Sequence, residues 1–140
     1  MKPKFKLTNE TIVHNGLTLF RIEAVRDFAN IKQGDKGGFV EKESNLSHSG
    51  DAWVYDDAKV YDDGRVFGHA EAYDRTEIFG KARAYGRVAI FGNTKISGHA
   101  WVSGNTKISG HALVSGHAWI FCNTNVCGHT PPTPTGKETL

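Results

Sequence analysis

The stretch GNTKISGHAWVSGNTKISGHALVSGHAW, residues 92–119, repeats one six-residue pattern with little change. The pattern extends in both directions, so that the chain from Gly50 to Cys127 divides into thirteen consecutive hexads without an insertion. The segment from Ser44 to Ser49 can be taken as a degenerate fourteenth. A period this short, sustained over so many units, is typical of repeat proteins whose units stack on one another.

Each hexad has the pattern of a short strand followed by a corner. The third residue is mostly Ala, Thr or Gly and the fifth is Val or Ile in all but two units, so these positions share one side of an extended chain. The first residue is mostly Gly or Asp, which favour tight-turn conformations. Because a strand this short cannot bury its inner face alone, we predict an all-β fold, a parallel β-helix of about 4–5 coils.

The two ends of the chain depart from the repeat. In residues 1–43 the pair Asn15-Gly16 stands between apolar runs, which predicts a β-hairpin that caps the first coil. The three lysines among the first six residues predict a flexible, solvated start. Residues 44–129 form the predicted β-helix. Residues 130–140 form a predicted disordered tail, because their prolines cannot donate to a β-ladder.

Composition narrows the class of protein. The formal net charge of +2 gives no indication of a nucleic-acid partner. No apolar run is long enough to cross a membrane and the N-terminus lacks the apolar segment of a signal peptide, so we predict a cytoplasmic protein. The two cysteines, Cys122 and Cys127, are too few for a disulfide framework or a four-cysteine zinc site.

An aliphatic residue followed four places later by a small one, as from Val54 to Ala58, resembles the hexapeptide-repeat, left-handed β-helix superfamily. The resemblance covers residues 44–128. It implies a left-handed, triangular helix with three hexads per coil, and it implies homotrimers. Residues 19–55 also look like the start of a bacterial and phage group of hexapeptide proteins that carry a transferase label without evidence of chemistry.

With three hexads per coil, residues eighteen apart lie above one another. The fourth residues of one face then form the ladder Arg65, Arg83, Trp101 and Trp119. On a second face Glu77 falls between Lys59 and Lys95, which supports this register because opposite charges stack favourably. The indole pair beside Arg83 predicts a partner-binding patch or a self-association seam, unless the two tryptophans merely shield each other. We assign Phe121 to the same surface.

The sixth residue of the hexad is aromatic in every unit from Tyr55 through Tyr73 to Phe91 and is serine in the next four units. Two interpretations stay open. The aromatic side chains stack and stiffen the N-terminal coils, or Tyr55, Tyr73 and Phe91 belong to a surface that docks a partner.

Histidines invite an enzymatic interpretation, because His99 and His117 fall on one ladder. Hexapeptide acyltransferases use a histidine as general base toward acetyl-CoA, and related carbonic anhydrases bind zinc through histidines. Both residues occupy the second place of the hexad, where asparagine also occurs, so we interpret them as corner residues and predict no metal site. The acidic corners around Asp56 and Asp62 are interpreted as a solvated edge rather than a calcium site.

These patterns together predict a non-enzymatic protein-binding or assembly module without a cofactor. Its partner is a second copy, in a homotrimer or dimer, or a host protein that a phage-derived module blocks. The first alternative is an acyl-CoA-dependent acyltransferase with His99 or His117 as base in an inter-subunit active site. A further alternative is a zinc-dependent, carbonic-anhydrase-like enzyme. The predicted contact surface comprises Arg83, Trp101, Trp119, Phe121, Tyr55, Tyr73 and Phe91.

Overall fold

The computed structural model describes residues 3–120 and 125–127. In these residues the chain is all-β, apart from one turn of 3₁₀ helix at Glu43–Asn45, and its parallel strands stack into a solenoid of about 5 turns. This confirms the predicted fold class. No helix in the described part of the chain has the length and apolar character to cross a membrane.

The N-terminal strands form the predicted hairpin. Strand β1 (Phe5–His14) pairs antiparallel with β2 (Leu17–Ala24). The two residues between them, Asn15 and Gly16, have φ angles of 53° and 80°. Positive φ at both positions is what a two-residue turn needs to match the twist of the flanking strands.

The predicted solvated start is wrong for Lys4, whereas Lys6 is exposed. Lys4 is fully buried, and its ammonium group donates hydrogen bonds to the carbonyl oxygens of Ala52, at 2.7 Å, and Gly50, at 3.3 Å. Burial, together with the nearby Arg26, lowers the pKa of Lys4 to about 8, and Asp51 acts in the opposite direction. The hydrocarbon stem of a lysine packs well inside a protein when its head finds acceptors, and here two corner carbonyls supply them.

The first coil begins before the regular hexads. Strand β3 (Lys36–Val40) pairs antiparallel with β2, and its Val40 stands in parallel register with Val60. Leu46 likewise bridges to Val66, so the first coil has an offset of twenty residues rather than eighteen. Leu46 therefore occupies the fifth place of a hexad, like Val66. The predicted fourteenth unit, residues 44–49, made Leu46 the third residue, so its predicted register is wrong by two residues.

Beyond β3 the solenoid consists of short strands on three faces. In chain order these are β4 (Trp53–Val54), β5 (Lys59–Val60), β6 (Arg65–Val66), β7 (Glu71–Ala72), β8 (Glu77–Ile78), β9 (Arg83–Ala84), β10 (Ala89–Ile90), β11 (Lys95–Ile96), β12 (Trp101–Val102), β13 (Lys107–Ser109), β14 (Leu113–Val114), β15 (Trp119–Ile120) and β16 (Asn125–Cys127). The sheets run β1-β2-β3-β5-β8-β11-β14, β4-β7-β10-β13-β16 and β6-β9-β12-β15.

From β4 onward every pairing between coils is parallel with an offset of eighteen residues. Lys59 pairs with Glu77, Glu77 with Lys95, and Trp101 with Trp119. The ladders predicted from the hexad pattern are therefore confirmed. Three hexads make one coil because the chain turns a corner after each strand and returns to the same face after the third.

The core inside the coils consists mainly of the third and fifth residues of the hexads. Ala52, Val54, Ala58 and Val60 have no exposed surface, and the same positions stay buried in the later hexads as far as residue 120. Full burial of a valine or isoleucine side chain contributes about 1.5 to 3 kcal/mol, so the repeated fifth position supplies the main driving force. Where threonine replaces alanine its hydroxyl group bonds to backbone, as Thr94 does to the Phe91 carbonyl at 2.9 Å.

The acidic corners have a structural role that the sequence analysis missed. Asp56, Asp62 and Asp74 adopt the left-handed conformation at the first place of their hexads. Each carboxylate accepts a hydrogen bond from the backbone N–H one coil above, as Asp62 does from Gly80 at 3.2 Å. Aspartate tolerates the left-handed region because its short polar side chain can bond locally, and here it ties one corner to the next.

Candidate protein-binding surface

The hexads that contain β6, β9, β12 and β15 place their fourth residues on the outer surface of one sheet. We call this surface the tryptophan face. These fourth residues are Arg65, Arg83, Trp101 and Trp119, in register from coil to coil. Because the third and fifth residues of each hexad point into the core, the fourth must point out. The period of the hexad thus places two arginines below two tryptophans along the solenoid axis.

The side chains of the tryptophan face contact one another. The rings of Trp101 and Trp119 stack with centroids 5.6 Å apart and planes 19° apart. The Arg83 guanidinium carbon lies 5.6 Å from the centroid of Trp101, an arrangement that contributes about 0.5 to 1 kcal/mol at an exposed site. Trp101 remains 36% exposed and Trp119 50% exposed. Mutual shielding therefore leaves much of both indoles open to a partner.

A cleft of about 190 Å³ lies at the tryptophan pair and is lined by Tyr85, Trp101, Ser103 and Trp119. Its origin is the change from aromatic residue to serine at the sixth position of the hexad. Phe67 and Tyr85 stack with centroids 4.9 Å apart, and Ser103 follows them one coil higher. A third ring at that place would continue the stack, and the smaller serine leaves the space open.

The second predicted aromatic surface is a continuous stack. Tyr55 and Tyr73 lie with centroids 4.4 Å apart, and Tyr73 and Phe91 with centroids 4.7 Å apart. The Tyr73 hydroxyl donates a 2.7 Å hydrogen bond to Glu71. Burial and the carboxylate of Glu71 raise the pKa of Tyr55 to about 12. Stacking, the first of the two interpretations, is present, and an interface role for these residues stays a prediction.

A third set of aromatic residues is covered by the N-terminal hairpin. Tyr61 is buried with Leu19 and Phe39, and the partly buried Leu17 and Phe79 pack against them. Sequence analysis did not foresee this intramolecular contact. The alternation of apolar residues in the hairpin strands was the available signal, because it leaves the hairpin an apolar face that needs a partner.

Trp53 is also unavailable to a partner, although the hexad pattern places it outward. It is 1% exposed, with Phe28 and Phe5 packed edge-on at centroid distances of 5.3 Å and 6.4 Å. The start of β1 and the segment that follows β2 thus cover β4, the first strand of its sheet. Of the three tryptophans in the sequence, only the pair on the tryptophan face is exposed.

Glu77 links the hairpin to the solenoid electrostatically. Its carboxylate accepts a 2.7 Å hydrogen bond from the Tyr61 hydroxyl and lies 3.0 Å from Nε2 of His14. Burial acts to raise the pKa of Glu77, but the bonds from Tyr61 and His14 outweigh it and the pKa lies below its ordinary value. The charged form of Glu77 therefore favours the docked hairpin.

The histidines considered for catalysis form a stacked pair at one corner. The rings of His99 and His117 lie with centroids 5.0 Å apart and planes 8° apart. Within residues 3–120 neither ring makes a side-chain hydrogen bond. A histidine that acts as general base is usually held in one tautomer by a bond to its other nitrogen. Both histidines lie in turns at corners of the solenoid, and their interpretation as corner residues stays a prediction.

Over the described residues, no group of three or more His, Cys, Asp or Glu side chains is placed to hold a metal ion. Phe121, the last residue assigned to the contact surface, lies outside the described residues, as does the predicted tail from residue 130.

A comparison of the sequence with known protein families and with curated proteins finds no match. The solenoid is consistent with the hexapeptide-repeat superfamily but does not identify it. Membership of that superfamily, and with it the left-handed sense of the helix, remains a prediction from the resemblance.

Proposed function

We propose that this protein is a non-enzymatic protein-binding or assembly module and that the tryptophan face is its contact surface. The observation that carries the proposal is the pair Trp101 and Trp119, which are 36% and 50% exposed beside a cleft. Tryptophan, tyrosine and arginine are enriched at the centres of protein interfaces, where they contribute most of the binding free energy. Arg83, Tyr85 and the two indoles supply all three residue types on one surface.

The rigidity of the solenoid supports a binding role. The Arg83 N–H donates to the Ala100 carbonyl at 2.9 Å, and the Trp101 N–H donates to the Ala118 carbonyl at 2.9 Å. The backbone beneath the face is thus held by hydrogen bonds from coil to coil. A surface that is ordered before binding loses less conformational entropy on association, which improves affinity.

The partner in this proposal is a second copy of the chain, in a trimer or dimer, or a host protein whose surface the module occupies. The resemblance to phage hexapeptide proteins supports the second possibility, and action in the cytoplasm belongs to the same proposal. No cofactor takes part.

The test is the molecular mass in solution, by sedimentation equilibrium, of the wild type and of W101K/W119K. We expect charged side chains in the seam to convert an oligomer to a monomer. The matched control is V13K/L113K, which changes two exposed apolar residues, 77% and 48% exposed, away from this face. An oligomer that survives W101K/W119K would contradict assembly through the tryptophans. A monomeric wild type would restrict the proposal to a different protein as partner.

The acyltransferase alternative is tested in the same samples by thermal unfolding with acetyl-CoA. We expect no change in Tm, because His99 and His117 occupy corners. The variant H99N/H117N is a fitting control, since asparagine occupies the same place of the hexad at Asn93 and Asn105. A rise in Tm with acetyl-CoA that disappears in H99N/H117N would contradict the proposal in favour of a transferase.

A further inference from the structure

We propose that the tryptophan face binds an acidic segment of a partner protein. Carboxylates of that segment contact Arg65 and Arg83 on the lower coils, and an apolar side chain enters the cleft at Trp101 and Trp119. This inference rests on the proposed function and specifies the chemistry of the partner.

The first observation is that cations on and beside this face lack acidic partners. Within the described residues, Arg65 and Arg83 form no ion pair with a carboxylate. The same is true, within that part of the chain, of Lys81, at the corner before β9, and of Arg87, at the corner after it. Unpaired cations gathered on one surface attract an anionic partner and steer its approach.

The second observation is that three acidic residues of the first coils already have partners. Asp63 lies 3.3 Å from Lys42, Asp51 lies 3.5 Å from His69, and Glu43 lies 3.3 Å from His48. In the described part of the chain none of these carboxylates pairs with Arg65 or Arg83, so an external carboxylate can reach both guanidinium groups.

The order of residues along the face sets the pattern of the partner. Adjacent strands of a sheet lie about 4.8 Å apart, so the four side chains span about 14 Å, the length of four or five residues of extended chain. Arg65 and Arg83 occupy the first half of that span and the tryptophans the second. The matching segment has two carboxylates at one end and a large apolar side chain at the other.

Single-stranded nucleic acid also binds cationic surfaces that carry aromatic side chains. The geometry of the rings on this face favours a protein partner instead. Nucleobases need exposed ring faces on which to stack. Both faces of Trp101 are occupied, by Arg83 and Trp119, and Phe67 covers one face of Tyr85 at an interplanar angle of 6°. Ring edges carry partial positive charge, which suits a carboxylate or carbonyl oxygen.

The experiment measures fluorescence anisotropy of a fluorescein-labelled peptide of three glutamates followed by leucine and phenylalanine. The comparison peptides replace the glutamates by glutamine or by lysine. We expect the glutamate peptide to bind about tenfold more tightly than the glutamine peptide, with the difference lost in high salt. R65E/R83E is expected to lose the glutamate peptide and to gain affinity for the lysine peptide. The matched control, R75E/K107E, reverses two charges away from the face and retains binding.

Equal affinity of the glutamate and glutamine peptides would overturn the proposal that the partner segment is acidic. If W101K/W119K then abolished the binding of both peptides, the tryptophan face would still be a contact surface, and the proposed function would stand. Failure of the glutamate peptide to bind up to millimolar concentration would also overturn the inference. Oligothymidylate that binds and displaces the glutamate peptide would assign the face to nucleic acid. A wild-type oligomer that R65E/R83E dissociates would assign it to a second copy.

Discussion

At the scale of single residues, the structure reverses the expectation for one lysine. Lys4 was expected in solvent, but it lies in the core with its ammonium group on the carbonyl oxygens of Gly50 and Ala52. The Lys4 ammonium nitrogen also lies 5.0 Å from the centroid of the Phe28 ring. Composition alone cannot indicate such burial, because a lysine enters a core only where distant residues supply acceptors.

The lowered pKa of Lys4 predicts a pH dependence of stability. Between pH 8 and 10.5 the unfolded chain holds the Lys4 proton and the folded chain does not, so the free energy of unfolding rises with pH over that interval. The variant K4M lacks this group. Relative to K4M, the wild type should therefore gain about 1 to 2 kcal/mol as the pH rises from 8 to 10.5. Urea unfolding of both proteins at several pH values measures the difference. A constant gap would contradict the burial of the amine.

At the scale of elements, the N-terminal hairpin decides which aromatic residues remain exposed. The hairpin itself follows from the pair Asn15 and Gly16, which is a local signal. Its docking on Tyr61 and Phe79 is not local, because it joins residues about forty to sixty positions apart. A hexad shows only that its sixth residue points outward. Whether solvent, a partner or the hairpin covers that residue depends on contacts that the repeat does not encode.

The docking of the hairpin predicts an asymmetry between two of its apolar residues. Leu19 has no exposed surface and packs with Tyr61, whereas Val13 is 77% exposed. We expect L19A to lower the free energy of unfolding by about 2 to 5 kcal/mol, because the truncation leaves a cavity into which the surrounding atoms relax only partly. V13A should change it by less than about 0.5 kcal/mol. Chemical unfolding measures both, and similar small effects would show that the hairpin is not docked.

At the scale of the whole molecule, the solenoid is a stack in which each coil contacts its neighbours. The offset of eighteen residues assigns every outward side chain to one of three faces, as Glu71, Glu77 and Arg83 show in successive hexads. Removing a whole coil should therefore keep each face, whereas removing one hexad should shift all later residues by one face. Both deletions should leave the core packed, because every hexad places residues of the same kind inside the solenoid.

Two engineered disulfides can distinguish the two deletions. Deletion of residues 80–97 should place Trp101 above Arg65, and deletion of residues 92–97 should place it above Glu77. With Cys122 and Cys127 changed to serine, R65C/W101C should oxidise only in the coil deletion and E77C/W101C only in the hexad deletion. Adjacent strands bring such pairs to a distance that a disulfide can span. Non-reducing mass analysis of tryptic peptides detects the bond, and the reverse pattern would contradict the eighteen-residue register.

The sequence by itself determined the parallel coils and the hairpin turn, and the resemblance to hexapeptide-repeat proteins, which implies three hexads per coil, added the ladder of Arg65, Arg83, Trp101 and Trp119. Each of these depends on a short period or on adjacent residues, so its physical cause is present in a local stretch of chain. Only the tertiary structure decided that Trp53 and Tyr61 are covered and that Trp101 and Trp119 are open. The cap selects among equivalent outward positions through contacts between segments that lie far apart in the chain, and such contacts have no periodic signature in the sequence.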